Sequence, residues 1–434
     1  MIQTNPAWDA RNTALGRQPV YAFAIGGEPV VYTTAAVSGV DYRPWLKTPR
    51  GAGQSIDVLR GESSIGELEC EVVDQAGALR QLVGATTLEG RAATLSVGYP
   101  GLSYADFVPL HSYQIYKIQP SRNYTSWIFR SRDRQMAAKR TVYLNPLNGL
   151  PIEESNPWIL QGTAGEIAQA IYLFALNRPV SEVDVASMKA LAVTSRARPF
   201  LFVLNQAFEA KQFLETEVYK PAGLYPVIDN LGRVSLKPAH PPAAGASPVS
   251  TLDPNNMTVL PEIDRMPVIN EIIYRIDAEE DGFANELIFI DASSVSAFGR
   301  AGQHVIESRG LRTVLGAHWF CQESAARLFR RFAGGPSGAS LRGGAPLARV
   351  EAFLMTLAIW AGDYVSVTHP QMPDILTGDL GVSGRLYEVI DREPDFARGR
   401  MRYRLLDTGL TGGSGARTFA PSAADFVIQG SGVY

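Results

Sequence analysis

The residues able to do acid–base, metal or nucleophilic chemistry are few and scattered. The five histidines, His111, His240, His304, His318 and His369, fall into no HExxH or other metal spacing. Neither a Gly-x-Ser-x-Gly elbow nor a Gly-x-x-x-x-Gly-Lys phosphate loop occurs. The adjacent acids Glu153-Glu154 and Glu279-Glu280-Asp281 sit in turn-like sequence. A glycosidase needs two carboxylates about 5–9 Å apart across a cleft, and adjacency along the chain does not supply that. Cys70 and Cys321 each lie inside an apolar pattern and read as buried free thiols, too few for a four-cysteine zinc or iron–sulfur site. No catalytic set, metal or cofactor is therefore expected.

Charge gathers instead on strand faces. Glu67, Glu69 and Glu71 alternate with Leu68, Cys70 and Val72, while Arg398, Arg400, Arg402 and Arg404 alternate with Gly399, Met401, Tyr403 and Leu405. Like charges repeated along one strand face repel unless they are solvated or paired. Two readings stay open: ordinary solvent-facing sheet surfaces, or faces that meet complementary charge at a subunit boundary or line a lumen for DNA. An acidic lumen would let DNA slide and a basic one would hold it, which points the Glu row inward and the Arg row toward a neighbour.

The elements carrying these rows come in blocks. At 434 residues with 40 Gly and 28 Pro, the chain suits a β-rich, loop-rich protein of two or three domains. A net charge of −3 gives no electrostatic case for wrapping nucleic acid or binding an anionic membrane. There is no signal-like N-terminus and no run of about 18 apolar residues, so synthesis in the cytoplasm and no membrane span are expected.

Residues 1–148 read as strands at 20–25, 29–32, 65–72, 94–99, 111–119 and 127–132, with a short helix at 78–83. Between 149 and 245 the period becomes helical: 163–175 with a Thr163/Glu166 capping box, 180–191 capped by Ser181, and 205–219 stopped at Pro221-Ala222-Gly223. A strand–turn–strand follows at 224–236, then a linker at 238–254. Strands return at 268–276, 287–290 and 304–307, the last preceded by a serine/glycine turn at 291–300. A helix at 313–333 buries Phe320, Cys321, Leu328 and Phe329 and is flanked by Arg327, Arg330 and Arg331. An exposed, mobile loop is read at 334–346. The apolar run 353–360 and the segments 364–368, 385–392 and 398–406 close the series as antiparallel strands around a 369–384 loop. Residues 408–434 form a polar tail with Phe419, Phe426, Val427, Ile428 and Tyr434 as anchors.

This order, ending "apolar strand, Gly-Asp-Tyr-Val, Gly-rich loop, Tyr-Glu-Val-Ile-Asp, alternating strand, Leu-Leu-Asp", resembles the tail-tip (baseplate hub) proteins of long-tailed bacteriophages. Gly-Leu-Tyr-Pro-Val-Ile-Asp-Asn-Leu-Gly-Arg-Val after a helix resembles their insertion domain. The resemblance implies an α+β, mostly β chain: two tail-tube-like split β-barrels at 1–148 and 246–408, a small α/β insertion at 149–245 and an extension at 409–434. It implies a homotrimeric ring at the virion tail tip, joining a sixfold tube to a threefold central fibre or spike and gating DNA. The expected partners are the distal tail protein, the tape-measure protein, the central fibre or spike and, in passage, double-stranded DNA. No cysteine cluster matches the iron–sulfur site of some relatives. The rival readings are a tail-associated peptidoglycan hydrolase built on 149–245, and a carbohydrate-binding module, which would need Trp158 or Trp319 exposed. Trp319, inside a helix, reads as core.

Overall fold

The computed structural model describes residues 4–12, 18–194, 199–229, 232–239, 242, 246–299, 302–333, 344–374, 378–411 and 429–430. The chain is mostly β. The first part gives β1 (Val20–Ile25), β2 (Val31–Thr33), β3 (Tyr42–Arg43), β4 (Arg50–Gly51), β5 (Gln54–Asp57), β6 (Glu62–Ser63), β7 (Glu67–Val73), β8 (Ala92–Gly98), β9 (Val108–Pro120) and β10 (Ser126–Arg132). Eight of these form one antiparallel-rich sheet in the order β3-β2-β1-β8-β9-β10-β7-β4. In β7 the alternation seen in sequence holds, with Leu68, Cys70 and Val72 at most 1% exposed.

The middle of the chain supplies three two-stranded ribbons: β11 (Thr141–Val142) with β14 (Phe208–Glu209), β12 (Trp158–Gly162) with β13 (Phe200–Leu204), and β15 (Leu224–Ile228) with β16 (Val234–Pro238). Helices lie between them. The first starts at Ala164 behind the expected capping box, Glu166 N donating to Thr163 Oγ1 and Thr163 N to Glu166 Oε2. Ser181 is not a cap. The helix is Val185–Thr194, and Asp184 Oδ1 accepts from Ser187 N at its start. The third begins at Ala210 rather than at 205, because Phe208-Glu209 pairs with β11, and it stops at Gly223, whose φ of +60° suits a residue without Cβ.

The last part holds β17 (Ser250–Leu252), β18 (Glu262–Arg265), β19 (Glu271–Glu279), β20 (Gly282–Ile290), β21 (Gln303–Glu307), β22 (Pro346–Phe353), β23 (Tyr364–Pro373), β24 (Leu380–Asp395), β25 (Arg400–Thr411) and β26 (Gln429–Gly430). A second large sheet runs β17-β23-β24-β25-β22-β18, with β5 added on β24 and β6 on β5; a third runs β21-β19-β20-β26. Between the ends of the first sheet, Leu46 N donates to Thr33 O of β2 while Leu46 bridges Val72 of β7; in the second, Met257 beyond β17 bridges Ala352 of β22.

Several expectations are corrected. The apolar run 353–360 is not a strand: β22 ends at Phe353, and Leu354–Thr356 turn inward, where Thr356 O accepts from the buried Tyr403 hydroxyl. Most of the 369–384 loop is strand, since β23 reaches Pro373 and β24 starts at Leu380. The residues read as a serine/glycine turn form a helix, Ala292–Phe298, capped by Asp291 Oδ1 accepting from Ser294 N. The linker's end is β17, paired in parallel with β23. Residues 334–343, His240 and the tail anchors lie outside the described residues.

Two cores organise the molecule. One joins the inner face of the first sheet (Phe23, Cys70, Phe129) to the inner face of the second (Val350, Val389, Leu405). The other joins the middle segment (Trp158, Phe200, Tyr225) to β19–β20 and the helix Ala317–Phe332. Both thiols are buried, and burial pushes their pKa values well up. Neither Cys70 nor Cys321 should react with a thiol reagent in the native protein, whereas both should in denaturant; a native-state stoichiometry of one or more would contradict this packing.

Candidate functional site

Both charged rows exist, but the sheet completes what each strand begins. In β7 each glutamate has a cation beside it. Arg132 Nε donates to Glu67 Oε1 at 2.6 Å, Arg130 Nε to Glu69 Oε2 at 3.1 Å, and Lys47 Nζ to Glu71 Oε1 at 2.6 Å. Lys47 and the Ser126 hydroxyl hold the Glu71 carboxyl below the usual carboxylate range. The register sets Arg50 and Arg130 on either side of Glu69 and Lys117 beyond Arg130, and the Arg132 guanidinium lies 4.0 Å from the Tyr116 ring. Three carboxylates thus share their face with five cations: Lys47, Arg50, Lys117, Arg130 and Arg132. The face is not acidic, and the electrostatic reason for pointing it at DNA falls away.

The arginine row is flanked in the same manner. Arg400, Arg402 and Arg404 are exposed on β25, with Met401, Tyr403 and Leu405 buried between them. Arg398 is not on the strand; it sits in the turn between β24 and β25, its N donating to Asp395 Oδ1 at 3.0 Å. On one side the register places Asp391, Glu393 and Asp395 opposite Arg404, Arg402 and Arg400; on the other Glu351 stands opposite Arg402. Arg400 donates to Glu351 Oε1, and Arg402 lies 3.8 Å from Glu351 and 3.6 Å from Glu393. Thr258 and then Arg400 pull the Glu351 carboxyl below its ordinary range. Arg404 stands between Asp391 on one side and a second cation, Arg349, on the other, while the remaining members of both rows are paired inside one chain. Exposed pairs of this kind contribute about 0.2–1 kcal/mol each.

The other singled-out groups are dispersed. His304 is largely buried, and burial followed by the charge of Lys220 depresses its pKa to about 4. His369 Nδ1 accepts from Gln371 N, and His318 rests against the ring of Trp319. Among the described residues no group of three or more His, Cys, Asp or Glu is placed to hold a metal. Trp158 is buried, and Trp319, expected in the core, is 73% exposed because its helix turns the Phe320/Cys321 side inward. One cleft of about 530 Å³ opens where the first sheet meets the middle segment, lined by Glu62, Ser63, Glu67, Arg132, Lys211 and Glu215 among others. Burial raises the Glu215 pKa, which a general acid requires, but its Oε1 is already bound by Lys211 and by Ser63 N.

Sequence reasoning missed two buried polar sites. Beside the cleft, Asp133 Oδ2 accepts from Gly66 N at 2.6 Å and Oδ1 from Gln135 N at 2.9 Å, while Ser63 Oγ donates to Gln135. In the other core, Arg331 Nη1 lies 2.5 Å from Glu388 Oε2, both side chains at most 1% exposed. The Tyr225 hydroxyl donates to Glu388 Oε1, and Arg331 also donates to Ala239 O and Leu406 O. Arg331 was read as a flanking residue. Its position seven residues after Ser324 already puts it on the apolar helix face.

No family model matches this chain, and no curated protein matches it. Among solved structures it is similar to the tail protein from Neisseria meningitidis MC58, at 11% identity over 91% of this chain and 98% of that chain, TM-score 0.49. It is similar to the 43 kDa tail protein of prophage MuSo2 from Shewanella oneidensis, at 14% identity over 90% of this chain and 99% of that chain, TM-score 0.47. A third is prophage tail protein gp18 from Listeria monocytogenes EGD-e, at 10% identity over 90% of this chain and 94% of that chain, TM-score 0.45.

Proposed function

We propose that the chain is a structural virion protein, a baseplate or tail-tip hub that assembles as a trimeric ring between a sixfold tail tube and a threefold fibre or spike. The observation that carries this reading is one chain holding two eight-stranded sheets around a common core. Three such chains present six sheets, so a threefold assembly can meet a sixfold one without a change of subunit. The strand orders end at the short β3, β4, β17 and β18, and a ring would give those short strands neighbours. The 1–148 and 246–408 β segments, with the 149–245 insertion, are the units this reading assigns to the ring. Its partners would be the distal tail protein, the tape-measure protein and a central fibre or spike, with DNA passing through the centre. Glu67, Glu69, Glu71, Arg398, Arg400, Arg402 and Arg404 are the candidate boundary or lumen residues. Because all of these but Arg404 are already paired, contact there would mostly exchange ion-pair partners rather than join bare charges.

Light scattering across concentration and salt tests the assembly. The expected result is a species of three times the 47.1 kDa chain mass that weakens as salt rises. A monomer under every condition, with no threefold density for the chain in micrographs of tails, would sink the ring. Clearing of purified peptidoglycan in a zymogram would favour the tail-associated hydrolase instead.

A further inference from the structure

The short strands β5 and β6 and their neighbour β24 turn polar side chains into the interior. Gln54 of β5 stands opposite Arg392 of β24, and Ile56, two residues on, stands opposite Ser63 of β6. Opposed residues share a sheet face, so Arg392, Gln54, Ile56 and Ser63 all point inward, and none is more than 6% exposed. Ser63 Oγ in turn donates to the side chain of the buried Gln135. Among the described residues no protein group bonds to Gln54 Oε1, Gln54 Nε2, Gln135 Nε2 or Arg392 Nε. We propose that this face is a binding site for ordered water, about two molecules at the usual three hydrogen bonds each, reached from the cleft past Ser63 and forming a wet seam between the two cores. The proposal is independent of the hub reading.

Three observations carry it. First, the four atoms are three nitrogen donors and one oxygen acceptor. Leaving such groups buried and unbonded is costly, and water, which both donates and accepts, can serve all of them. A metal ion would meet a single oxygen beside a guanidinium. An anion would leave Gln54 Oε1 bare and lie near Asp133, whose Oδ1 accepts from Gln135 N. Second, the side chains are held and cannot turn to serve one another. Arg392 Nη1 and Nη2 donate to Ala52 O and Leu357 O while the guanidinium lies 3.9 Å over the Trp360 ring, so rotating Nε onto an oxygen would break all three contacts. Gln135 Oε1 is likewise fixed by Ser63. Third, the site has a place and an entrance. Ala52 and Ile56, on either side of Gln54, belong to different cores, so the amide marks the boundary between them. Ser63 also lines the cleft of about 530 Å³, which puts bulk water one side chain away. Water in the seam gives Asp133 a route to exchange its proton with the cleft.

Solvent density in crystals of the full chain tests it. Peaks should lie about 2.7–3.2 Å from the Gln54 amide and from Arg392 Nε. A seam without density, or one in which Gln54 Oε1 accepts directly from Arg392 Nε, would overturn the proposal. Gln54→Leu asks the same question in solution. With a hydrated amide the variant should show a lower denaturant midpoint at unchanged slope, because the water and Arg392 Nε lose a partner. A midpoint that holds or rises would mean that a dry, unsatisfied amide had been removed, and the proposal fails. A wild-type midpoint that rises with chloride against gluconate at fixed ionic strength, and no longer does so in Gln54→Leu, would assign the seam to an anion and overturn it as well. Should Gln54→Leu not fold, the wild-type density decides alone.

Discussion

Arg331→Leu is expected to destabilise the protein by about 3–5 kcal/mol, because it strands Glu388 without its counter-charge in a dry core. Neither side chain of the pair is more than 1% exposed, so water cannot take the place of the missing partner. The Tyr225 hydroxyl still reaches Oε1, but Oε2 has no hydrogen-bond donor, so the guanidinium 2.5 Å away is its chief stabilisation. Removing both charges is a different experiment: Arg331→Leu/Glu388→Leu should recover most of the loss, since a buried ion pair rarely outperforms packed apolar groups. Denaturant midpoints of the two single variants and the double variant close the cycle. A single-variant cost under about 1 kcal/mol would mean water reaches the pair.

The second large effect concerns pH. Asp133 is almost fully buried, and desolvation raises its pKa from 3.8 to about 7 against the opposing hydrogen bonds of Gly66 and Gln135 and the charge of Lys211. A carboxyl whose folded-state pKa is raised contributes stability that is complete below its unfolded value and disappears as pH climbs through the folded value. Between about pH 4 and pH 8 this one site should therefore cost the native state roughly 4 kcal/mol. Asp133→Asn should remove that slope. The variant should be less stable than wild type near pH 5, where one acceptor oxygen serves two backbone N–H groups, and more stable near pH 8. Glu215, Glu217, Asp391 and Asp407, raised by burial as well, contribute slope of the same sign in both proteins. Parallel stability curves for the two proteins from pH 5 to pH 8.5 would refute the assignment.

How much of this could be read from sequence follows from the range over which each signal acts. Period-2 alternation is local, so β7 and β25 were legible with the correct buried residues, as was the capping box at Thr163/Glu166. Which residue stands across from Glu69 depends on a register set by turns and packing. A row that is acidic along its own strand therefore became a mixed, net basic face. The same limit explains Arg398, whose alternation with Gly399 and Met401 runs on into a hairpin turn. Leu354–Trp360 misled for the opposite reason: a segment buried on all sides carries no period, and strand and turn then look alike. Arg331 and Asp133 were missed because charge is a strong prior for exposure, and the partners that overcome it lie 57 and 67 residues away along the chain.

The corner strand β5 sets the order in which the molecule can be made. It sits 54–57 residues from the N-terminus but pairs with Asp391 and Arg392, and Arg392, stacked 3.9 Å over Trp360, donates back to Ala52 O. The first sheet's apolar face likewise finds its cover in residues 348–405. A nascent chain emerging at about 5–20 residues per second would hold that face open until more than 250 further residues had been added. The first sheet must thus wait for residues 348–405 before its face is covered, which requires loop closure over some 340 residues, and the half-made chain is the species most in need of a chaperone.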